Sequence, residues 1–179
     1  MKYTNTERLA FARSAKIEFP ANEIHKSVRI DATSTCPDNN IVTGRNGFGY
    51  VRQEDNSLLE MPHAGNIVIE KDVVIRAFVT VDRAVKGSTF IGEGTKIDHH
   101  SHIAHGAKIG KHNTLANGCI IEGSCEIGDY NTFGAGVIVQ TKVKIGNNCI
   151  IGSGAVVTRD VEDNSVMIGN PARLVRRNE

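Results

Sequence analysis

The sequence predicts an all-β chain wound as a parallel β-helix, and three observations carry that expectation. Ile and Val together number 36 of 179 residues against 5 Leu and 18 Gly, a balance that favours strands and turns over helices. Stepping by six from Ile67 meets Val73, Val79, Val85, Ile91, Ile97, Ile103, Ile109, Leu115, Ile121, Ile127, Phe133, Val139, Ile145, Ile151 and Val157, sixteen hits in succession. Ile, Val, Leu and Phe make up about a quarter of the chain, so chance gives such a run with a probability of roughly 10⁻⁹ to 10⁻¹⁰. All four prolines (Pro20, Pro37, Pro62, Pro171) lie outside the run, as paired backbone N–H groups between coils require. A period of six is one short strand plus one turn, and stacking such units buries the sixfold column inside.

The elements follow in order. Residues 1–66 read as an N-terminal flank. Within 1–23, Thr4-x-x-Glu7 ahead of Leu9, Ala10 and Phe11 is a capping box for a short helix. Ile24, Ile30, Cys36 and Val42 keep the six-residue step in another phase, which predicts an opening coil. From Gly44 to Gly65 the repeat dissolves into GRNGFGYVRQEDNSLLEMPHAG, a composition that predicts a long loop or hairpin over 44–65. Phe48 and Tyr50 in that loop are candidates to stack on a sugar or base, or to plug the end of the coil.

Residues 67–162 are the coil itself. Small or β-branched residues sit four places after many sixfold positions, at Ala77, Thr89, Thr95, Ser101, Ala107, Cys119, Cys125, Cys149 and Ala155, so the three cysteines read as small interior side chains. The unbroken phase predicts that no loop is extruded between Ile67 and Val157. Residues 163–179 form a tail in which Arg173, Arg176 and Arg177 are candidates to meet a cofactor phosphate.

Charge and cysteine content narrow the function. Lys+Arg 21 against Asp+Glu 20 gives a formal charge of +1, so no basic field argues for nucleic acid or an anionic membrane as a partner. No 18-residue apolar run and no signal-peptide core are present, and the four cysteines form no C-x-x-C pair. The expectation is a cytoplasmic protein with reduced thiols.

Five of the seven histidines (His99, His100, His102, His105, His112) fall within fourteen residues. Histidine titrates near neutrality and is the usual proton-transfer residue, so this stretch is the candidate site. His99 and His112 read more simply as solvated turn residues.

The stretch IDHHSHIAHGAKIG followed by LANGCIIEGSCEIG resembles the hexapeptide-repeat acyltransferases. Upstream, NGFGY, VDRA and STFIGEGTKID are similar to the lipid A N-acyltransferase branch, whereas IGNPARLVRR resembles the tail of acetyl-CoA-dependent amino-sugar N-acetyltransferases. The resemblance implies a left-handed β-helix with 18-residue coils and a homotrimer with active sites between subunits. It implies His105 as catalytic base, Gly123 as the backbone N–H facing the thioester carbonyl, and Asp98 and His102 near the sugar. It implies acetyl-CoA as acyl donor, with Ala135 and Ser153 along the pantetheine arm and Arg173 towards a phosphate. The activity so implied is N-acetylation of a nucleotide-linked amino sugar in surface-polysaccharide biosynthesis. O-acetylation, or longer-chain transfer from an acyl carrier protein, is the alternative. Spacing supports the His105–Gly123 pair independently: 18 residues apart, they stack on neighbouring rungs of such a coil, ~4.8 Å from each other.

No metal is expected. A second resemblance, to γ-type carbonic anhydrases that bind zinc through histidines, rests on His100-x₄-His105 and on the similarity of IAHGAKIG to one of their ligand segments. Their remaining His falls at Ala64, and His63 misses it by one residue, which on a strand reverses the side chain.

Overall fold

The computed structural model describes residues 28–30 and 42–179. The helix expected within 1–23, and Ile24 and Cys36 of the opening coil, lie outside the described residues.

The described chain contains strands and turns and no helix, coiled into a parallel β-solenoid of about six turns, consistent with the left hand that the resemblance implies. One face stacks Val28–Ile30, Asn66–Ile69, Ser88–Ile91, Lys108–Ile109, Glu126–Ile127 and Lys144–Ile145. A second stacks Val74–Ile75, Lys96–Ile97, Thr114–Leu115, Thr132–Phe133 and Ile150–Ile151. The third stacks Val42–Asn46, Thr80–Arg83, His102–Ile103, Ile120–Ile121, Ile138–Val139 and Val156–Val157. Backbone N–H groups bond carbonyls of the neighbouring coil, onward in the strands, as Lys108 does to Cys125 at 2.8 Å and Ile120 does to Val137 at 2.8 Å, and backward at corners, as Ser124 does to His105 at 3.0 Å. This pairing is why a two-residue strand is stable here: its partners on both sides belong to the same stack.

The interior has two inward positions per hexapeptide. One is the second strand residue, Ile91, Ile97, Ile103 and so on to Val157, all buried. The other, two places earlier, takes small side chains: Thr95, Ser101, Ala107, Cys119, Cys125, Cys149 and Ala155 are buried as expected. Burial raises the thiols of Cys119 and Cys125 to about 11, which agrees with their reading as packing groups. Asn113 and Asn131 fill this second row with a polar spine, in which the Asn113 side-chain oxygen accepts the Asn131 N–H at 2.8 Å and the Asn131 oxygen accepts the Cys149 N–H at 2.7 Å.

One expectation fails. From Phe90↔Lys108 onward, partners in the β-helical coils are 18 residues apart, but Asn66 pairs with Ser88, Val74 with Lys96 and Thr80 with His102, each 22 apart. Four extra residues are therefore extruded between the strands Thr80–Arg83 and Ser88–Ile91. The six-residue count passes over them because both inward positions of the first coil are aliphatic: Ile67 and Ile69, Val73 and Ile75, Val79 and Val81 are all buried. Ile67 stands in the row of Thr89, not of Ile91. Val85, the hit in between, belongs to the loop and is only partly buried, and so is Ala77.

The segment 44–65 forms the expected hairpin, pairing Tyr50–Arg52 with Leu58–Glu60, and its return runs along the extruded loop: Ala64 and Gly65 donate to the carbonyls of Val85 and Ala84. At the other end Ser165–Ile168 pairs on Ile150–Ile151 and Arg173–Arg177 folds back antiparallel, with Val161 and Ala172 buried beneath.

The assignment of the loop is testable by truncation. Ile91→Ala should destabilise the fold by about 2–5 kcal/mol, whereas Val85→Ala should cost under about 1 kcal/mol, read by urea unfolding. Equal losses would put Val85 back in the core.

Candidate active site

The histidine cluster divides over three corners of the coil. His99 and His100 stand on the corner between the second and third faces, His105 on the next, between the third and first, and His112 on the last. His100 and His112 hold the left-handed conformation that these corners need (φ 58° and 52°) and stack on Phe78 and Tyr130, with ring centroids 4.8 and 5.4 Å apart. His99 donates its N–H to the Asp98 carboxylate at 2.8 Å. Two of the five, His102 and His105, remain at one place, and the H-x₄-H pair of the zinc resemblance does not converge in this chain.

His105 and Gly123 stack as the spacing predicts. A Cβ built on Gly123 would lie 2.9 Å from both Cε1 and Nε2 of His105, so only glycine lets the ring rest on this rung. Gly47 of NGFGY closes the other side: a Cβ there would lie 2.8 Å from His105 Cδ2. Among the described residues, the Gly123 N–H donates to no group of the chain, while its carbonyl accepts the Lys142 N–H at 3.0 Å. The ladder thus leaves the Gly123 N–H unused beside an imidazole. Burial, and then the charges of His63 and His102, hold His105 below the usual imidazole range, so at neutral pH the ring is an unprotonated base.

The same place gathers two residues that sequence reasoning did not assign. His63, on the hairpin return, is 3% exposed, and its ring meets His105 edge-on with centroids 5.2 Å apart. Asp82 lies in the strand Thr80–Arg83 that leads into the extruded loop, with its side chain 16% exposed and Oδ2 3.6 Å from His102 Nε2. His102 is in turn held by Thr80, whose hydroxyl lies 2.6 Å from Nδ1. Burial pushes the Asp82 carboxyl up to about 6, against a smaller opposing pull from His63. A signal for Asp82 was present in VDRA, but a count that saw no insertion gave that segment no special place.

Phe48 and Tyr50 lie where they frame this site. Their neighbours Gly47 and Gly49 pack on His105 and His63, and the two rings, 5.1 Å apart, are exposed. Asp98, Ala135 and Ser153 are placed otherwise: they follow one another along the corner of His99, one corner away from His105. Arg173 opens the last strand and donates to the carbonyl of its neighbour Ala172, while Arg177 is engaged by Glu162 at 2.7 Å.

The bacterial transferase hexapeptide model (six repeats) matches residues 88–123 and 124–159. Residues 88–159 are hexapeptide repeats. The matched units begin at Ser88, immediately after the extruded loop, where 18-residue spacing sets in. Over 61 residues the repeat chain is 46% identical to the UDP-3-O-acylglucosamine N-acyltransferase of Thermosynechococcus vestitus, a stretch that is 34% of this chain and 18% of that protein. The chain thus spans less than a fifth of the length of the curated relatives it matches. Among solved structures, an Arabidopsis UDP-N-acetylglucosamine acyltransferase is similar at 27% identity with a TM-score of 0.69, over 80% of this chain and 49% of that one. A UDP-N-acetylglucosamine O-acyltransferase from Moraxella catarrhalis shares the fold, with 21% identity and a TM-score of 0.70 over 89% of this chain and 74% of that one. Among the described residues of this repeat chain, no helix is long and apolar enough to cross a membrane.

Asp82 supplies a measurable signature of the site. Folded Asp82 holds its proton more tightly than the unfolded chain does, so its contribution to stability falls as pH rises from about 4 to about 6 and stays lost above that. Asp82→Asn should therefore stabilise the fold at pH 7.5, by about 1–2 kcal/mol once partial exposure is discounted, with the gain vanishing near pH 4. Urea unfolding at both pH values checks this; an equal gain at both would show that no desolvated carboxylate is involved.

Proposed function

We propose that this chain transfers an acyl group from a thioester to the amine of a nucleotide-linked amino sugar, with acetyl-CoA as donor, in bacterial surface-polysaccharide biosynthesis. The observation that carries the reading is the stack of His105 on Gly123, an unprotonated imidazole beside an unused N–H on adjacent rungs. His105 takes a proton from the attacking nitrogen as the N–C bond forms. The carbonyl oxygen becomes an oxyanion, which the Gly123 N–H stabilises. The C–S bond then breaks, and the departing thiolate recovers a proton from the imidazole. The printed names of the relatives, which act on UDP-linked glucosamines, support the substrate class.

Acetyl-CoA is read from the tail, where Arg173 and Arg176 donate to local carbonyls and stay exposed for a phosphate. A longer acyl chain is a second reading. It is favoured by the extruded loop, which offers a wall for such a chain, and by the exposed apolar side chains of Tyr50, Val51, Leu58 and Leu59 on the hairpin. Thiol release with acetyl-CoA against a 3-hydroxyacyl carrier protein, over a panel of UDP-, dTDP- and GDP-amino sugars, separates the two.

The separation of corners supports a homotrimer. Asp98, Ala135 and Ser153 join His105 in one site if a neighbouring copy presents its corner there. His105→Ala and Asp98→Ala chains, each inactive alone, should then recover activity when unfolded together and reassembled, to about a quarter of wild type for a one-to-one mixture. No recovery would place both residues in one chain's site.

His105→Ala should lower kcat about 10²- to 10⁴-fold with oligomer and unfolding midpoint unchanged. In the wild type, kcat/KM should lose activity on the acid side only below the free imidazole value of about 6.5, because burial lowers the folded value. Activity within threefold of wild type would remove His105 from the role of base.

A further inference from the structure

Two acceptors beside His105 lack a donor. His63 Nδ1 lies 2.8 Å from the Met61 carbonyl and so carries the ring proton, which leaves Nε2 as a lone pair. That atom is buried and, among the described residues, has no hydrogen-bond partner. The Asp82 carboxylate, 16% exposed, accepts no hydrogen bond from the described residues; His102 Nε2 at 3.6 Å is beyond reach. The adjoining Arg83 directs Nε to Asn46 at 3.0 Å. With the imidazole of His105, whose ring centroid is 5.2 Å from that of His63, and with Asp82 near enough to His63 to feel its charge, three acceptors gather at one corner of the coil. The unused Gly123 N–H is taken up by the carbonyl in the proposed reaction. Unmet acceptors in a buried place cost stability, so their retention calls for a ligand rich in N–H.

We propose that Asp82 and His63 form an ammonium subsite: they accept two hydrogens of the nucleophilic nitrogen, bound as R–NH₃⁺, and so select an amine over a hydroxyl. The inference rests on the acyl transfer proposed above. The balance is R–NH₃⁺ plus thioester giving amide, thiol and one proton. His105 removes the first proton and passes it to water, which exposes the lone pair while Asp82 and His63 hold the two remaining hydrogens. As the amide forms, the nitrogen gives a second proton to His105, which hands it to the departing thiolate. A hydroxyl brings a single hydrogen and leaves a buried acceptor unmet, which is the basis of the discrimination. The raised carboxyl of Asp82 fits the same picture, since a bound cation is the partner it lacks.

Calorimetric titration of the assembled protein without donor tests the subsite, using probe pairs that differ by amine or hydroxyl at one carbon. UDP-glucosamine with UDP-glucose is the first pair, and 3-amino and 4-amino dTDP-hexoses with their hydroxyl counterparts follow. At pH 7 the wild type should bind the amine of one pair at least about tenfold more tightly. Asp82→Asn should compress that ratio to within about twofold, and His63→Gln should lower it part-way, with folding verified by unfolding midpoint. No amine preference in any pair, or the same preference in Asp82→Asn, overturns the subsite. Thiol release measured in parallel judges the other reading: selective amine binding with no acyl transfer from any thioester refutes the reaction and leaves the subsite standing. Transfer with undiminished amine selectivity in Asp82→Asn refutes the subsite alone.

Discussion

Backbone pairing from coil to coil governs this molecule. Because strand N–H groups reach carbonyls of the neighbouring coil, paired strand residues from Ser88 to Val157 stand 18 places apart, and columns of like environment run along this part of the stack. Chemistry inherits that geometry. His105 meets Gly123, and Asn113 meets Asn131, through register alone, without a dedicated contact to bring them together. The ladder also dictates where irregularity is tolerated. A strand cannot take up four extra residues without losing its partners on both sides, so the insertion is expelled at a corner, and pairing resumes at Ser88 as if nothing had intervened.

The site lies at that corner because it is the place where the regular stack is broken. A perfect 18-residue coil offers a shallow corner with little to desolvate a side chain. Here Gly47 of the hairpin and His63 on its return pack against His105, and that return is itself paired on the extruded loop through Val85 and Ala84. Desolvation then does the electrostatic work: it lowers His105 and His102 and raises Asp82, each towards its neutral form. The regular part of the coil supplies the base and the unused N–H, while the irregular part supplies the environment that sets their protonation.

This division also explains what could be read from the sequence. The repeat, the interior cysteines and the His105–Gly123 stack were legible because periodicity is a one-dimensional property that the ladder copies into space. The insertion was not, since the two inward rows of a hexapeptide differ by four residues and the first coil fills both with Ile and Val. A four-residue slip therefore lands on another aliphatic residue and hides. With the slip hidden, nothing in the count sets Asp82 apart, and His63 reads as an ill-spaced metal ligand, though the one lies by His102 and the other against His105. The histidine cluster misled in the opposite sense. Closeness along the chain placed His99, His100 and His112 on other corners, two of them stacked on Phe78 and Tyr130.

A triangular coil imposes one further constraint. Its interior is filled by Ile, Val, Leu115 and Phe133, so its three corners never meet through the core. Base and unused N–H occupy one corner, and Asp98, Ala135 and Ser153 occupy another. If both sets serve one reaction, as proposed, they meet outside the coil, where the corner of one copy lies against the face of the next. His105, Gly123 and His63 come together within one chain. Under the proposed reaction, a second chain would extend the site beyond the reacting nitrogen. The same rigidity that fixes His105 on Gly123 to within a rung thus makes oligomerisation the route to a two-sided cleft, since neither corner can bend towards the other without breaking the ladder that holds it.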